Sequence, residues 1–373
     1  MAARSARERI FEKHLLASAL VDRPVQYKLY YNMEESPFPD YPLAELHAHL
    51  GTSVSAEVLW QIAHELGVKL PKKEFNEFRD YITLSATRRV KMEDYFTKIY
   101  HPILDRLSSG AHAVEQATYH TMSGAYRKNN ITLIELRNNP MKHNRDAEFD
   151  LDHIIMAMLR GMERALLECP GLSAGLIFCM DRAATVEENA VVVEKAIKYR
   201  SRGVVAIDVA GPAVPSFKLS EYAWLFRKAR RAGLRITVHS GETIGTSDMW
   251  DALQYAKPDR IGHGIRAAYD PALMKELVKQ QVVLEVCPMS NIATKAVKDI
   301  VEMKRILRTF IEYNVPFCIN TDWPEMIEGC RLTKQFAMLR SQGLLSADEL
   351  EACNQTAFAR SFIPKPGGLD AYL

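Results

Sequence analysis

The stretch Leu43–Gly51, LAELHAHLG, decides how the rest of the chain is read. Apolar and polar positions alternate from Leu43 to Leu50, the period of a β-strand. His47 and His49 are two apart, so on a strand both imidazoles point to one face. Two imidazoles on one face, at a strand end and just before a glycine, make half a metal site. An isolated HxH is more often a pair of hydrogen-bonded histidines on a buried strand. The metal reading therefore depends on further ligands, each also at a strand end.

Working outward, strand-like runs recur near Ile131–Leu136, Gly175–Met180, Val204–Val209, Leu234–His239, Arg260–Gly262, Val282–Val286 and Pro316–Asn320. Helical stretches separate them. Ser55 is placed to cap a helix over Ala56–Leu66, whose stripe of Val58, Leu59, Ile62, Ala63 and Leu66 has helical spacing. Thr185 and Glu188 form a capping-box pair. Gly233 follows a helix over Ser220–Ala232, and Asp270-Pro271 opens another over Ala272–Gln280. Residues 68–130 hold helical pieces and no convincing strand. Counting the first, eight strands alternate with helices, which predicts an α/β fold: one (β/α)8 TIM barrel over 1–373 with a helical insertion at 51–130. No GxGxxG follows a strand, so a doubly wound dinucleotide fold is not supported. Residues 1–40 read as a helix and an irregular lead-in.

Composition narrows the class. The chain has 373 residues, 47% hydrophobic and 25% charged, with a net charge of +2. A balance so near neutral argues against a dedicated nucleic-acid or membrane surface. The N-terminal segment has no apolar core of signal-peptide length, and no run reaches the 18 or more residues of a membrane span. Six cysteines are scattered without a CxxC pair. They read as small core residues in a reducing cytoplasm, where the protein is expected to reside. Oligomeric state is not legible.

In such a barrel catalytic groups sit at the C-terminal strand ends. Strand 1 ends in His47 and His49, strand 5 in His239 followed by Ser240, Gly241 and Glu242, strand 6 in His263, and strand 8 in Thr321 and Asp322. Three neutral imidazoles and a carboxylate suit zinc, one per chain, with a position left for water; another divalent transition metal fits the same set. His47, His49, His239 and Asp322 are assigned as ligands. His263 is either an orienting hydrogen-bond partner for the activated water or a fourth imidazole ligand. Glu242, behind a flexible glycine, is placed to deliver a proton to substrate, or else is a first-turn helix acid.

The segments ELHAHL (45–50), IELRNNP (134–140), AIDVAGP (206–212), VHSGE (238–242), RIGHGI (260–265), LEVCPMSN (284–291), NTDWP (320–324) and NQTAFARSF (354–362) together resemble the adenosine deaminase family of metal-dependent amidohydrolases. The resemblance implies hydrolytic deamination of a 6-aminopurine nucleoside or nucleotide. It implies zinc on His47, His49, His239 and Asp322, a hydroxide-orienting His263, and Glu242 as the proton donor to ring nitrogen N1. It also implies that Asp322 takes the water proton and that Gly211, with Asp208 in the same segment, meets the purine.

Two departures bear on the substrate. The family pattern HxHLDG is here HLGT, with Gly51 and Thr52 where an aspartate that helps hold ribose is usual. The pattern TDDP is here TDWP, with Trp323 in place of an aspartate that binds N7. Thr52 and Ser53 are candidates to replace the first. Trp323 is a candidate to stack on a base or close the pocket, or to pack at the rim. A modified adenine nucleoside, a nucleotide or a non-purine N-heterocycle stays open as substrate. Rival readings are an amide-cutting hydrolase on the same barrel and a non-catalytic binder. A nucleic-acid deaminase would need an HxE…PCxxC pattern, which the sequence lacks.

Overall fold

The computed structural model describes residues 39–85, 90, 92–144 and 150–364. All eight expected strands form: β1 (Leu43–His49), β2 (Ile131–Asn138), β3 (Ser173–Asp181), β4 (Val204–Ala210), β5 (Arg235–Ser240), β6 (Arg260–His263), β7 (Val283–Val286) and β8 (Phe317–Ile319). They lie in sequence order, each parallel to the next. Valine, isoleucine and leucine dominate them because helices cover the outer face while side chains fill the barrel, so both faces are dry. Among the described residues β8 and β1 share no regular ladder. They meet in a single bridge, where Asp322 N–H donates to the His47 carbonyl (2.7 Å) and His49 N–H to the Asp322 carbonyl (3.3 Å). The barrel is nearly closed, as expected of a (β/α)8 fold.

The uninterrupted alternation read across Leu43–Leu50 needs correcting. Glu45 pairs with Ile134 and Ala48 with Leu136, three steps on β1 against two on β2. The extra residue is a bulge, which re-aims the strand beyond it. Below the bulge, Ala44 and Leu46 pack with Val283 and Cys318. Above it, His47 and His49 face His239. Glu45 faces outward with Ala48, lining a cavity shared with Thr121, Ser123 and Gly124 of the helix Ala111–Asn129. Its carboxylate accepts the N–H of His47 (2.9 Å) and of Thr321 (3.1 Å), holding the bulge to the end of β8. Burial pushes the Glu45 carboxyl up to about 8, against the pull of those two donors.

Among the described residues, the stretch between β1 and β2 holds helices and no strand, as expected, apart from one bridge between Leu84 and Ile327. It includes a π-helix over Phe96–Leu104 with Pro102 inside it. π-turns gather at functional sites because the wider turn displaces side chains from their α-helical positions. The capping box of Thr185 and Glu188 forms, and Asp270 caps Pro271–Gln280. Ser55 precedes Ala56–Glu65 without a side-chain cap. The helix expected over Ser220–Ala232 is divided into a tight turn, Leu219–Tyr222, and a helix, Ala223–Arg231. All six cysteines are free and buried. Among the described residues no helix is long and apolar enough to cross a membrane. The lead-in expected over residues 1–40 lies outside the described residues as far as residue 38.

Candidate metal and active site

The C-terminal strand ends bring the four assigned ligands together. His49 Nε2 lies 3.0 Å from His239 Nε2 and 3.4 Å from Asp322 Oδ1, and His47 Nε2 lies 3.7 Å from that oxygen. The His47 and His239 rings are 4.6 Å apart, centre to centre. His47 is fully buried, while the side chains of His49 and His239 stay 22% and 11% exposed, which gives the cluster an open side.

Hydrogen bonds beneath the cluster fix which nitrogens can coordinate. His47 Nδ1 lies 2.7 Å from Glu285 Oε2, and His239 Nδ1 lies 2.9 Å from Asp208 Oδ2. A carboxylate only accepts, so each Nδ1 carries the proton and each Nε2 presents a lone pair. Among the described residues His47 Nε2 is buried and has no hydrogen-bond partner. The His49 and His239 nitrogens also face each other and a carboxylate oxygen. Lone pairs crowded this way in a dry pocket repel unless a cation sits among them. His47 and His49 are also kept neutral. Burial, then the nearby Arg137, lowers the His47 pKa well below 6.5; burial, then His239, does the same for His49. The donor set therefore fits a metal ion.

His263 sits beside the ligands, 4.8 Å from the His47 ring. Its Nδ1 accepts from Asn291 Nδ2 (3.0 Å), which leaves the proton on Nε2. A protonated nitrogen cannot coordinate but can donate, so the geometry favours the orienting alternative over a fourth ligand. That nitrogen lies 3.7 Å from Glu242 Oε2, and Asn291 also reaches Glu242 Oε1 at 3.5 Å. Glu242 follows Gly241, whose φ of +66° turns the chain over the barrel mouth. His263 and Asp322 both have a φ of +62°, uncommon for residues with a side chain and typical of sites where position outweighs local comfort. Ser290 Oγ donates to Asp322 Oδ2 (2.6 Å), turning Oδ1 toward the imidazoles. Burial raises the Asp322 carboxyl.

Below this layer lies a buried ionic lattice. Arg137 bonds Asp208 (2.8 Å) and Glu285 (2.7 Å), and Arg260 bonds Glu285 (2.6 Å) and Glu135. Burial would raise Glu285, but Arg137 and Arg260 outweigh it and hold the carboxyl at about 2. Asp208 is likewise held below the usual range by His239 and Arg137 despite its burial.

The substrate-side expectations fare differently from one another. Asp208 is fully buried beneath His239, because its register on β4 points it into the barrel. The Thr52 hydroxyl donates to the carbonyls of His49 (3.2 Å) and Asp322 (3.0 Å), and Ser53 to that of His49 (2.6 Å). Both hydroxyls are spent on backbone rather than turned to the mouth. Trp323 is packed among Tyr95, Phe96 and Tyr100. Gly211 does lie exposed at the rim, with a φ of +93° and its carbonyl held by Arg182 (3.0 Å). Sequence reading missed Arg137, Arg260, Glu285, Ser290, Asn291 and Tyr100. For the first three a signal existed: a charge inside an apolar strand run.

A family model described as adenosine deaminase matches residues 42–370. The adenosine deaminase of Shewanella denitrificans is 26% identical over 329 residues, covering 86% of this chain and 94% of that protein. Among solved structures, an adenine deaminase from Arthrobacter aurescens aligns with a TM-score of 0.76 at 23% identity, over 89% of this chain and 97% of its own. The Arabidopsis N6-mAMP deaminase aligns with a TM-score of 0.71 at 22% identity, over 87% and 94%. At such identities these two structures speak to the shared fold.

Proposed function

The chain belongs to the adenosine deaminase family, and from that premise we propose how its site works: one zinc ion held by His47, His49, His239 and Asp322, with Glu242 and His263 acting on the substrate. The activity is hydrolytic deamination of a 6-aminopurine. The observation that carries the site assignment is the His47 nitrogen: unprotonated, buried and without a hydrogen-bond partner, beside two more imidazole nitrogens and a carboxylate oxygen.

When bound, zinc supplies a Lewis acid that lowers the pKa of water from 15.7 toward 7. The residues do the rest. Asp322 Oδ1 accepts the proton that water gives up, while Ser290 keeps the other oxygen engaged. The His263 Nε2–H, set by Asn291, donates to the oxygen that attacks C6. Glu242 delivers a proton to N1 in the ring plane, so the ring gives up its aromaticity without building charge. Asp322 then passes the proton it took to the amino group, which leaves as ammonia, and the C6 hydroxyl proton restores Glu242 as the carbonyl forms. Orienting both proton partners toward the reacting carbon is where such a site gains most of its rate.

The test pairs ammonia release with metal analysis. Adenine, adenosine, deoxyadenosine, N6-substituted adenosines and AMP are screened as substrates. Glu242→Gln is expected to keep its metal and lose deamination by about two to four orders of magnitude. Near-wild-type turnover in that variant removes Glu242 as the donor, and purified protein without a transition metal at neutral pH removes the site.

A further inference from the structure

The two positions where the sequence departs from the family pattern are joined in space by a third residue that sequence reading did not single out. Gly51 lies two residues past His49, and Trp323 directly follows Asp322, so both flank ligand residues on the β8–β1 side of the site. A Cβ at position 51 would stand 2.6 Å from the Tyr100 hydroxyl oxygen and 3.4 Å from the ring carbon that bears it. Real Cβ atoms do not approach that closely, so glycine at 51 is what lets Tyr100 occupy this place. The Tyr100 ring in turn stacks on Trp323, with centres 6.0 Å apart and planes 25° apart. Trp323 is backed by Phe96, edge-on at 5.5 Å, and by Tyr95 at 5.5 Å, whose hydroxyl donates to the Ile82 carbonyl. Phe96 and Tyr100 both ride on the π-helix. Its wider turn is the local distortion that carries both rings to Trp323.

The orientation of a purine in the proposed site gives this wall its meaning. With N1 at Glu242 and C6 over the imidazoles, the five-membered ring extends to the side away from Glu242. That side is the β8–β1 seam, where Tyr100 and Trp323 stand. Among the described residues, the N7 and N9 end of the purine is then turned toward Gly51 and the Tyr100 ring that Trp323 backs. The Thr52 and Ser53 hydroxyls nearby are already given to backbone carbonyls.

We infer that Gly51, Tyr100 and Trp323 act as one specificity element that admits a free 6-aminopurine base and turns away its N9-ribosyl derivatives. The inference rests on the placement of Glu242 proposed above. A bare base ends at N9–H and fits against the wall. A ribose on N9 has to displace Tyr100 from over Gly51, and at position 51 it finds a glycine in place of an ionised acceptor for its hydroxyls. Unpartnered sugar hydroxyls and a displaced ring each cost binding, together about tenfold or more.

The experiment uses the full-length, zinc-loaded protein. Affinities for hypoxanthine and inosine, the unreactive products, are measured by calorimetry, and kcat/KM for adenine and adenosine by ammonia release. Wild type is expected to favour the base by about tenfold or more in both measurements. Tyr100→Ala, which opens the space, and Gly51→Ala, which pushes Tyr100 out of it, are expected to shift the base-to-nucleoside ratio toward the nucleoside by about tenfold, through KM, at unchanged zinc content. Inosine binding as tightly as hypoxanthine, failure of wild type to bind either product, or variant ratios within about twofold of wild type overturns the element. Selective binding of the base without turnover of any purine leaves the element standing and instead overturns the role given to Glu242.

Discussion

Glu285→Gln isolates the support beneath the metal site without touching a ligand. One Glu285 oxygen accepts from His47 Nδ1 and from Arg137, the other from Arg260 and Thr237. Glutamine keeps one accepting oxygen and turns an amide donor toward the other pair of donors. Two buried donors are left facing a third, and two guanidiniums lose their shared counter-charge. The magnitude can be worked two ways. Lowering the carboxyl from 4.5 to about 2 corresponds to about 3 kcal/mol favouring the ionised form at neutral pH. Breaking a buried ion pair by removing one partner costs about 3–5 kcal/mol in general. The variant is therefore expected to lose about 3–5 kcal/mol in urea unfolding, with an unchanged slope. Because Glu285 also fixes the His47 tautomer, zinc affinity measured by chelator competition is expected to fall about 10- to 100-fold. A stability loss below about 1 kcal/mol together with unchanged zinc retention would refute the claim that this lattice holds the ligand layer in place.

The remaining predictions concern other parts of the molecule. A Cβ at Gly262 would lie 2.8 Å from His47 Cε1, and Glu285 prevents that ring from retreating. Gly262→Ala is therefore expected to cost about 1–3 kcal/mol in thermal unfolding and to weaken zinc binding as well. Asp152 bonds Lys195 (2.7 Å) and Lys198 (2.6 Å), which lower its carboxyl to about 2 although partial burial opposes them. A depressed carboxyl stabilises the fold above its ordinary 3.8 and loses that contribution as pH falls through about 2. Asp152→Asn is accordingly expected to cost about 1 kcal/mol at pH 7 after allowance for screening, with the variant and wild-type unfolding curves converging between pH 4 and 2. Ser346 and Glu349 form a capping box at the start of Ala347–Arg360, and Ser346→Ala is expected to cost about 1 kcal/mol by chemical denaturation.

Much of the barrel was legible because its signals are local. Most strands are short apolar runs ending at a polar residue, and the periodicity changes from strand to helix. The proposed ligand set could be drawn up for the same reason: strand ends are where such folds place chemistry, and four histidines mark three of them. What escaped is what depends on partners distant in sequence. The β1 bulge leaves LAELHAHL looking like an unbroken alternation, because whether a residue is supernumerary is settled by its neighbour on β2. His47 and His49 nonetheless share a face, both turned toward His239. Arg137, Arg260 and Glu285 stood in plain view as charges within apolar runs, but only the closed ring makes them a lattice. Asp208 illustrates the converse: its segment was recognisable, yet its register on β4 aims it under His239 and away from the mouth. Tyr100 carries no motif at all. A tyrosine in helical sequence becomes relevant to the site only through a π-turn and a glycine 49 positions earlier.

The single bridge between β8 and β1 has a consequence for how the molecule comes into being. Two of the proposed ligands arise from the first strand and the fourth from just past the last, more than 270 residues later. A growing polypeptide on the ribosome holds three imidazoles long before the carboxylate exists. Ring closure and capture of the ion are thus coupled, since the strand that completes the cylinder also delivers the last donor. Loops closed over such sequence separations form slowly. A cation gathered early by the three histidines would lower the entropy cost of that final docking, so zinc supply during synthesis should set the yield of native protein as well as its activity.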